Sequence, residues 1–185
     1  MKLSDGEKLI LLMLADIYES TGVKSDSDID PNFVRQAIYS GHLWGLSQKY
    51  YGIFHEDTSE EVASEAASIM SMWQMLEDRF KTLTAEEKER LEREADPFGK
   101  HVRFTGFDGN DGRGHYGAAR FYVEQMGLFQ DFADRDLNSH APLLEGDLRM
   151  LAKYNEIIRC GDTFGVLKVD DMIEILKARF HPENR

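Results

Sequence analysis

Apolar side chains recur along this chain mainly at intervals of three and four, the spacing of one helix face. Ser4 and Glu7 have the separation of a capping box, in which each side chain satisfies the other's free backbone N–H. Leu9, Ile10, Leu11, Leu12, Met13, Leu14 and Ile17 follow and surround the helix rather than forming one stripe. Such a helix needs cover on several sides, from the rest of the fold or from a second subunit. Gly22 is its expected stop, followed by a polar loop over Lys24–Asp30. Asp30-Pro31 then reads as a cap with proline at the first helical position, where its missing N–H costs nothing. Phe33, Val34, Ala37 and Ile38 give a second helix ending near Gly41, and Trp44 to Phe54 continues as a short aromatic-rich segment.

The longest periodic stretch opens at Thr58 with Glu61. There Val62, Ala66, Ile69, Met70, Trp73, Leu76 and Phe80 fall within roughly a third of the helix circumference. Thr84 with Glu87 starts a polar helix that Asp96-Pro97-Phe98-Gly99 ends; a seam or hinge is expected at 96–101, because proline cannot continue a helix. Val102–Phe107 alternates like a short strand, and six of the 15 glycines crowd into residues 99–117. An aromatic helix is predicted from Tyr116 to about Phe129. The next is capped by Asn138 or Ser139 and carries Leu144, Leu148, Leu151 and Ile158 on one face, with breaks at Gly161 and Gly165. A last helix starts at Val169 or Asp170 and stops at His181-Pro182. The whole predicts an all-α, multihelical single domain over 1–185, of six to eight helices with at most one short strand.

Charge narrows the partners. The chain carries 34 acidic and 22 basic side chains, a formal net charge of −12. Duplex DNA, RNA grooves and anionic membranes all demand a basic surface, so neither nucleic acid nor membrane is expected. A DNA-reading last helix would set Lys168, Lys177 and Arg179 against Asp170, Asp171 and Glu174. Residues 55–95 hold twelve acidic and five basic side chains, more than half of the excess. They form a solvated acidic face or a docking surface for a basic protein partner. The run Leu9–Ala15 is too short to span a bilayer, and the acids around it do not suit a signal peptide. One cysteine, Cys160, excludes an intramolecular disulfide. The expected location is cytoplasmic.

Candidate chemistry is sparse. Asp108-Gly-Asn-Asp-Gly112 has a calcium-loop look, but the glycine comes one residue early and Ala119 stands where a bidentate Glu belongs. No two of the six histidines lie three or four apart, so no helical metal pair is written, and no cofactor motif is present. Arg120 lies among aromatic residues one turn before Glu124, where an unpaired guanidinium would be costly. It is expected to pair with Asp108 or Glu124 and lock the glycine-rich loop to the helix.

The runs Val102-Arg-Phe-Thr-Gly-Phe-Asp108, Ala119-Arg-Phe-Tyr-Val123 and Asn138-Ser-His-Ala-Pro-Leu143 come with Tyr116, Phe129, Phe132 and Met150-Leu151 between and after them. With Glu7-Lys-Leu-Ile-Leu11 and Ile69-Met-Ser-Met-Trp73, they resemble the YfbU family of bacterial proteins over nearly the whole chain. The resemblance implies a compact helical cytoplasmic protein that self-associates, and implies no reaction. The leading expectation is therefore a non-enzymatic interaction or regulatory protein, a homo-oligomer such as a dimer, associating through Leu9, Ile10, Leu11, Leu12, Met13 and Leu14, with no catalytic residues. The alternative is a small-molecule-binding protein or enzyme with a polar pocket in 102–142, built from Asp108, Tyr116, Arg120, Asn138 and His140.

Overall fold

The computed structural model describes residues 2–22, 29–54, 58–160 and 167–180. The expected loop after Lys24, the breaks at Gly161 and Gly165, and the stop at His181-Pro182 fall outside them. Two compact units make up the chain, Met1–Asp57 and Thr58–Arg185. The turn at 96–101, where a seam was expected from proline, lies inside the second. Among the described residues there are nine α-helical segments and no strand.

In the first unit, α1 (Asp5–Thr21) begins with the reciprocal Ser4–Glu7 capping box and ends at Gly22 in the left-handed conformation. α2 (Pro31–Tyr39) starts at Asp30, whose carboxylate accepts from the Asn32 and Phe33 N–H groups. α3 (Leu43–Lys49) and the single turn α4 (Tyr51–Phe54) complete the unit. The Tyr50 hydroxyl accepts from the Asp30 N–H at 2.9 Å, while its ring meets Phe33 edge-on with centroids 6.1 Å apart. One side chain thus fastens the start of α2 to the end of α3.

The second unit is organised on α5 (Glu60–Thr82). Ser59 rather than Thr58 is its cap and accepts from the Val62 N–H. Ala66, Ile69, Met70, Trp73 and Leu76 are buried as the periodicity predicts, with Met72 beside them. α6 (Ala85–Glu94) carries the Thr84–Glu87 capping box and buries only Leu91. After α7 (His115–Arg120) the helix widens to π geometry over Phe121–Gln125, so the expected aromatic helix stops short of Phe129. α8 (Leu144–Cys160) packs against α5 and against α9 (Val169–Lys177), which also touches α6.

Over residues 102–107, Val102, Phe104 and Phe107 are buried and Arg103 and Thr105 exposed, yet the segment joins no sheet. The alternation that suggested a strand is real, but the hydrogen-bonding partners are not those of a neighbouring strand. The Phe104 N–H donates to the Glu77 carboxylate at 2.7 Å, and a single parallel bridge joins Phe107 to Asn138. Phe104 gathers the core here, lying 5.3 Å from both Phe107 and Phe132 and 6.1 Å from Trp73 between ring centroids.

Candidate functional site

Two places draw functional attention: the outer face of α1 and the glycine-rich segment 102–142. On α1 the all-round apolar character resolves into two faces. Ala15 is buried and Leu11 and Leu12 are half-buried, while Leu9, Ile10, Met13, Leu14 and Ile17 are 54–60% exposed. At 100° per residue those five occupy about 140° of the circumference, opposite Ala15. Ile10, Met13 and Ile17 follow the three-then-four spacing of a helix–helix seam. The cations near this stripe are taken up within the unit: Lys8 pairs with Asp5 at 2.9 Å, and Arg35 bridges Asp16 and Glu19 at 3.0 Å each.

In the second unit, Asn138 is the hub of the polar cluster. Its Oδ1 accepts from the N–H groups of Gly109 and His140, both at 3.0 Å, and its own N–H donates to Asp136. It therefore ties two turns together rather than capping α8, and Ser139 likewise bonds to Ala141 two residues on. Asp108 accepts from the backbone and side-chain nitrogens of Asn110. Gly106 has φ +90°, and a Cβ there would lie 1.8 Å from the Leu137 carbonyl oxygen, so only glycine permits this approach. A Cβ at Gly109 would meet both Asn138 and Tyr116, which places Asp108's neighbour, Asn138 and Tyr116 around one turn.

The side chains of His140 and Arg120 stand apart from the turn's hydrogen bonds. His140 is exposed with its Nε2 3.7 Å from Asp136. The Arg120 guanidinium reaches Glu124, not Asp108, through bonds of 2.6 and 2.7 Å, with both side chains about half exposed. That pair raises the Arg120 pKa and lowers that of Glu124, chiefly through the hydrogen bonds themselves. It holds one turn of the same helix and does not fasten the loop. Arg120→Met is accordingly expected to change stability by no more than about 0.5 kcal/mol, as measured by urea unfolding.

The fastening falls to three side-chain contacts that spacing in sequence does not reveal. Glu77, buried on α5, receives Arg135 through two bonds of 2.6 Å each. Arg113 reaches Glu145 at 2.8 Å. His115, 2% exposed, meets Glu65 through Nε2 at 2.8 Å. Its Nδ1 is buried without a hydrogen-bond partner among the described residues. A third buried polar side chain, Asp147, accepts from Trp73 Nε1 at 3.3 Å and lies 3.4 Å from Arg179. Among the described residues no group of three or more His, Cys, Asp or Glu side chains is placed to hold a metal ion. In the acidic stretch, all five cations have internal contacts. Arg79 meets Glu87, Lys81 meets Asp78, Lys88 lies over Phe80, Arg90 reaches Glu94 and Asp170, and Arg93 reaches Glu94.

These features define an all-α protein whose 102–142 segment is tied to α5 and α8 by Glu77–Arg135, His115–Glu65 and Arg113–Glu145, and whose first helix shows a wide apolar face outside its own unit's core. No helix among the described residues is long and apolar enough to cross a membrane. The chain belongs to the YfbU family: the family model of the YfbU domain matches residues 1–178, taking in both units. No solved structure matches it.

Proposed function

We propose that this YfbU-family protein is a non-enzymatic interaction or regulatory protein that self-associates through the outer face of α1. The observation that carries the reading is the row of five large apolar side chains, each more than half exposed, on one side of a 17-residue helix. Together they offer on the order of 500 Å2 per copy, hence on the order of 1,000 Å2 for a symmetric pair, where specific interfaces begin. A second copy suits this face better than a charged partner. The five side chains of the stripe are apolar, so they match a second apolar stripe rather than a charged surface. A pair of these seams would mesh at the shallow crossing angle of helical bundles.

The alternative, a small-molecule site in 102–142, draws less support, because Asp108 and Asn138 direct their oxygens to nearby N–H groups of the loop.

Met13→Lys tests the reading. Met13 is 57% exposed, so the change should leave the Tm of the chain within a few degrees. In a dimer it would place an ammonium at the seam and weaken association by about 30-fold or more. Sedimentation across a hundredfold concentration range should show the native chain as a dimer or larger and the variant as a monomer. A native chain that stays monomeric at high concentration would remove the proposal.

A further inference from the structure

The described residues of the first unit form an apolar cavity of about 390 Å3 that is open to solvent on one side, lined by Ile10, Leu11, Val34 and Leu46 among other aliphatic side chains. This lies within the size range of small-molecule sites. Among the described residues, two polar side chains line it, Glu7 and Tyr50. Tyr50 already accepts from the Asp30 N–H, and the Glu7 carboxylate already accepts from Ser4 Oγ at 2.7 Å and the Ser4 N–H at 2.6 Å. The walls therefore offer water few of the two to four polar partners that hold an ordered molecule. They favour a hydrocarbon instead. Glu7 is exposed as well as lining, so it marks the solvent edge of the cavity. The bonds from the Ser4 side chain, and then its backbone, hold the Glu7 pKa below the ordinary value, which keeps a negative charge at that edge near neutral pH.

We propose that this cavity binds the alkyl chain of a small neutral or cationic amphiphile, with the hydrocarbon among the aliphatic walls and the head group beside Glu7. Taking a methylene as about the 30 Å3 that a water occupies in the liquid, and leaving room for imperfect packing, the volume suits a chain of about ten carbons. An alkyl carboxylate is disfavoured by its repulsion from Glu7. The site is distinct from the seam proposed for self-association, although Ile10 borders both; Met13 is not part of its lining.

The full-length chain should be titrated with 1-decanol, decyltrimethylammonium and decanoate below their aggregation limits, reading displacement of a neutral solvatochromic dye. Saturable one-to-one binding is expected for the alcohol and the ammonium, at least fivefold tighter than for decanoate. Glu7→Gln should abolish the preference for cation over anion while keeping alcohol binding. Val34→Phe, which fills the cavity, should weaken all three by tenfold or more. Should Val34→Phe disturb folding, Ile53→Trp fills the same space from a side chain that is 60% exposed. Met13→Lys should leave binding unchanged, which separates this site from the association seam. Absence of saturable binding, equal affinity for decanoate, or binding untouched by both filling substitutions would overturn the proposal. Binding seen only after Met13→Lys would overturn it too, because the cavity would then be closed by a second copy.

Discussion

Glu77→Ala should destabilise the protein by about 3–5 kcal/mol, the range for removing one member of a buried, hydrogen-bonded ion pair. Three donors converge on this carboxylate: both terminal nitrogens of Arg135 and the N–H of Phe104. Without Glu77 the Arg135 guanidinium stays 18% exposed with its closest counter-charge gone, and the buried Phe104 N–H is left without an acceptor. The second loss is as serious as the first, because no neighbouring strand is present to receive that N–H. Arg135→Ala should cost less, since Glu77 keeps its bond to Phe104. Arg135 also lies over the Phe132 ring, 4.9 Å from its centroid, so some packing is lost with it. Urea unfolding of the two single variants and the double variant gives the coupling directly. A Glu77→Ala loss below about 1 kcal/mol, or strict additivity of the two, would show that the pair does not clasp the loop.

Glu77 also shows how much of this structure is written in the sequence. It stands four residues after Trp73 and three before Phe80, on the apolar stripe of α5. A carboxylate at an apolar position signals a buried partner. The partner's identity is not legible, because Arg135 lies 58 residues away and only the packed loop brings it near. Asp147 follows the same pattern, one residue from Leu148 and four from Leu151, with Trp73 74 residues distant. Local signals fared better. The Ser4–Glu7 and Thr84–Glu87 boxes and the Asp30-Pro31 start all form where the sequence places them, since each needs only neighbours three residues apart. The exposed stripe of α1 was half legible. A uniformly apolar heptad of residues announces a need for cover, but which side α2 would take depends on tertiary contact. The 102–142 loop resisted most. Its alternation mimics a strand and its Asn138 mimics a helix cap, while the Phe104 N–H goes to a distant carboxylate and Asn138 also accepts from Gly109 in another turn.

Asp147→Asn should make the protein more stable than the native chain above pH 6, by up to about 3 kcal/mol, and should match it near pH 4. Asp147 is 1% exposed, and burial pushes its carboxyl up to about 6, against the opposing pull of Arg179 and of the hydrogen bond from Trp73. A carboxyl whose pKa is higher in the folded state than in the unfolded chain binds its proton more tightly when folded. Its contribution to stability is therefore present below about pH 3.8 and is lost as the pH rises through about 6. Asparagine keeps an oxygen for Trp73 Nε1 without placing a charge in the core. Arg179 loses its counter-ion, yet its guanidinium still lies over the Trp73 and Phe98 rings, 5.5 and 5.2 Å from their centroids. Comparing the two proteins cancels carboxylates such as Glu87, Glu94 and Glu124, whose lowered pKa values make their contribution fade at more acid pH. Unfolding curves at half-unit steps from pH 4 to 8 should show a native profile that falls with rising pH relative to the variant. If Asp147→Asn is instead the less stable protein at pH 8, the attraction of Arg179 outweighs the cost of burying the carboxylate. The Asp147–Arg179 contact is then a stabilising ion pair that anchors the end of α9 to α8.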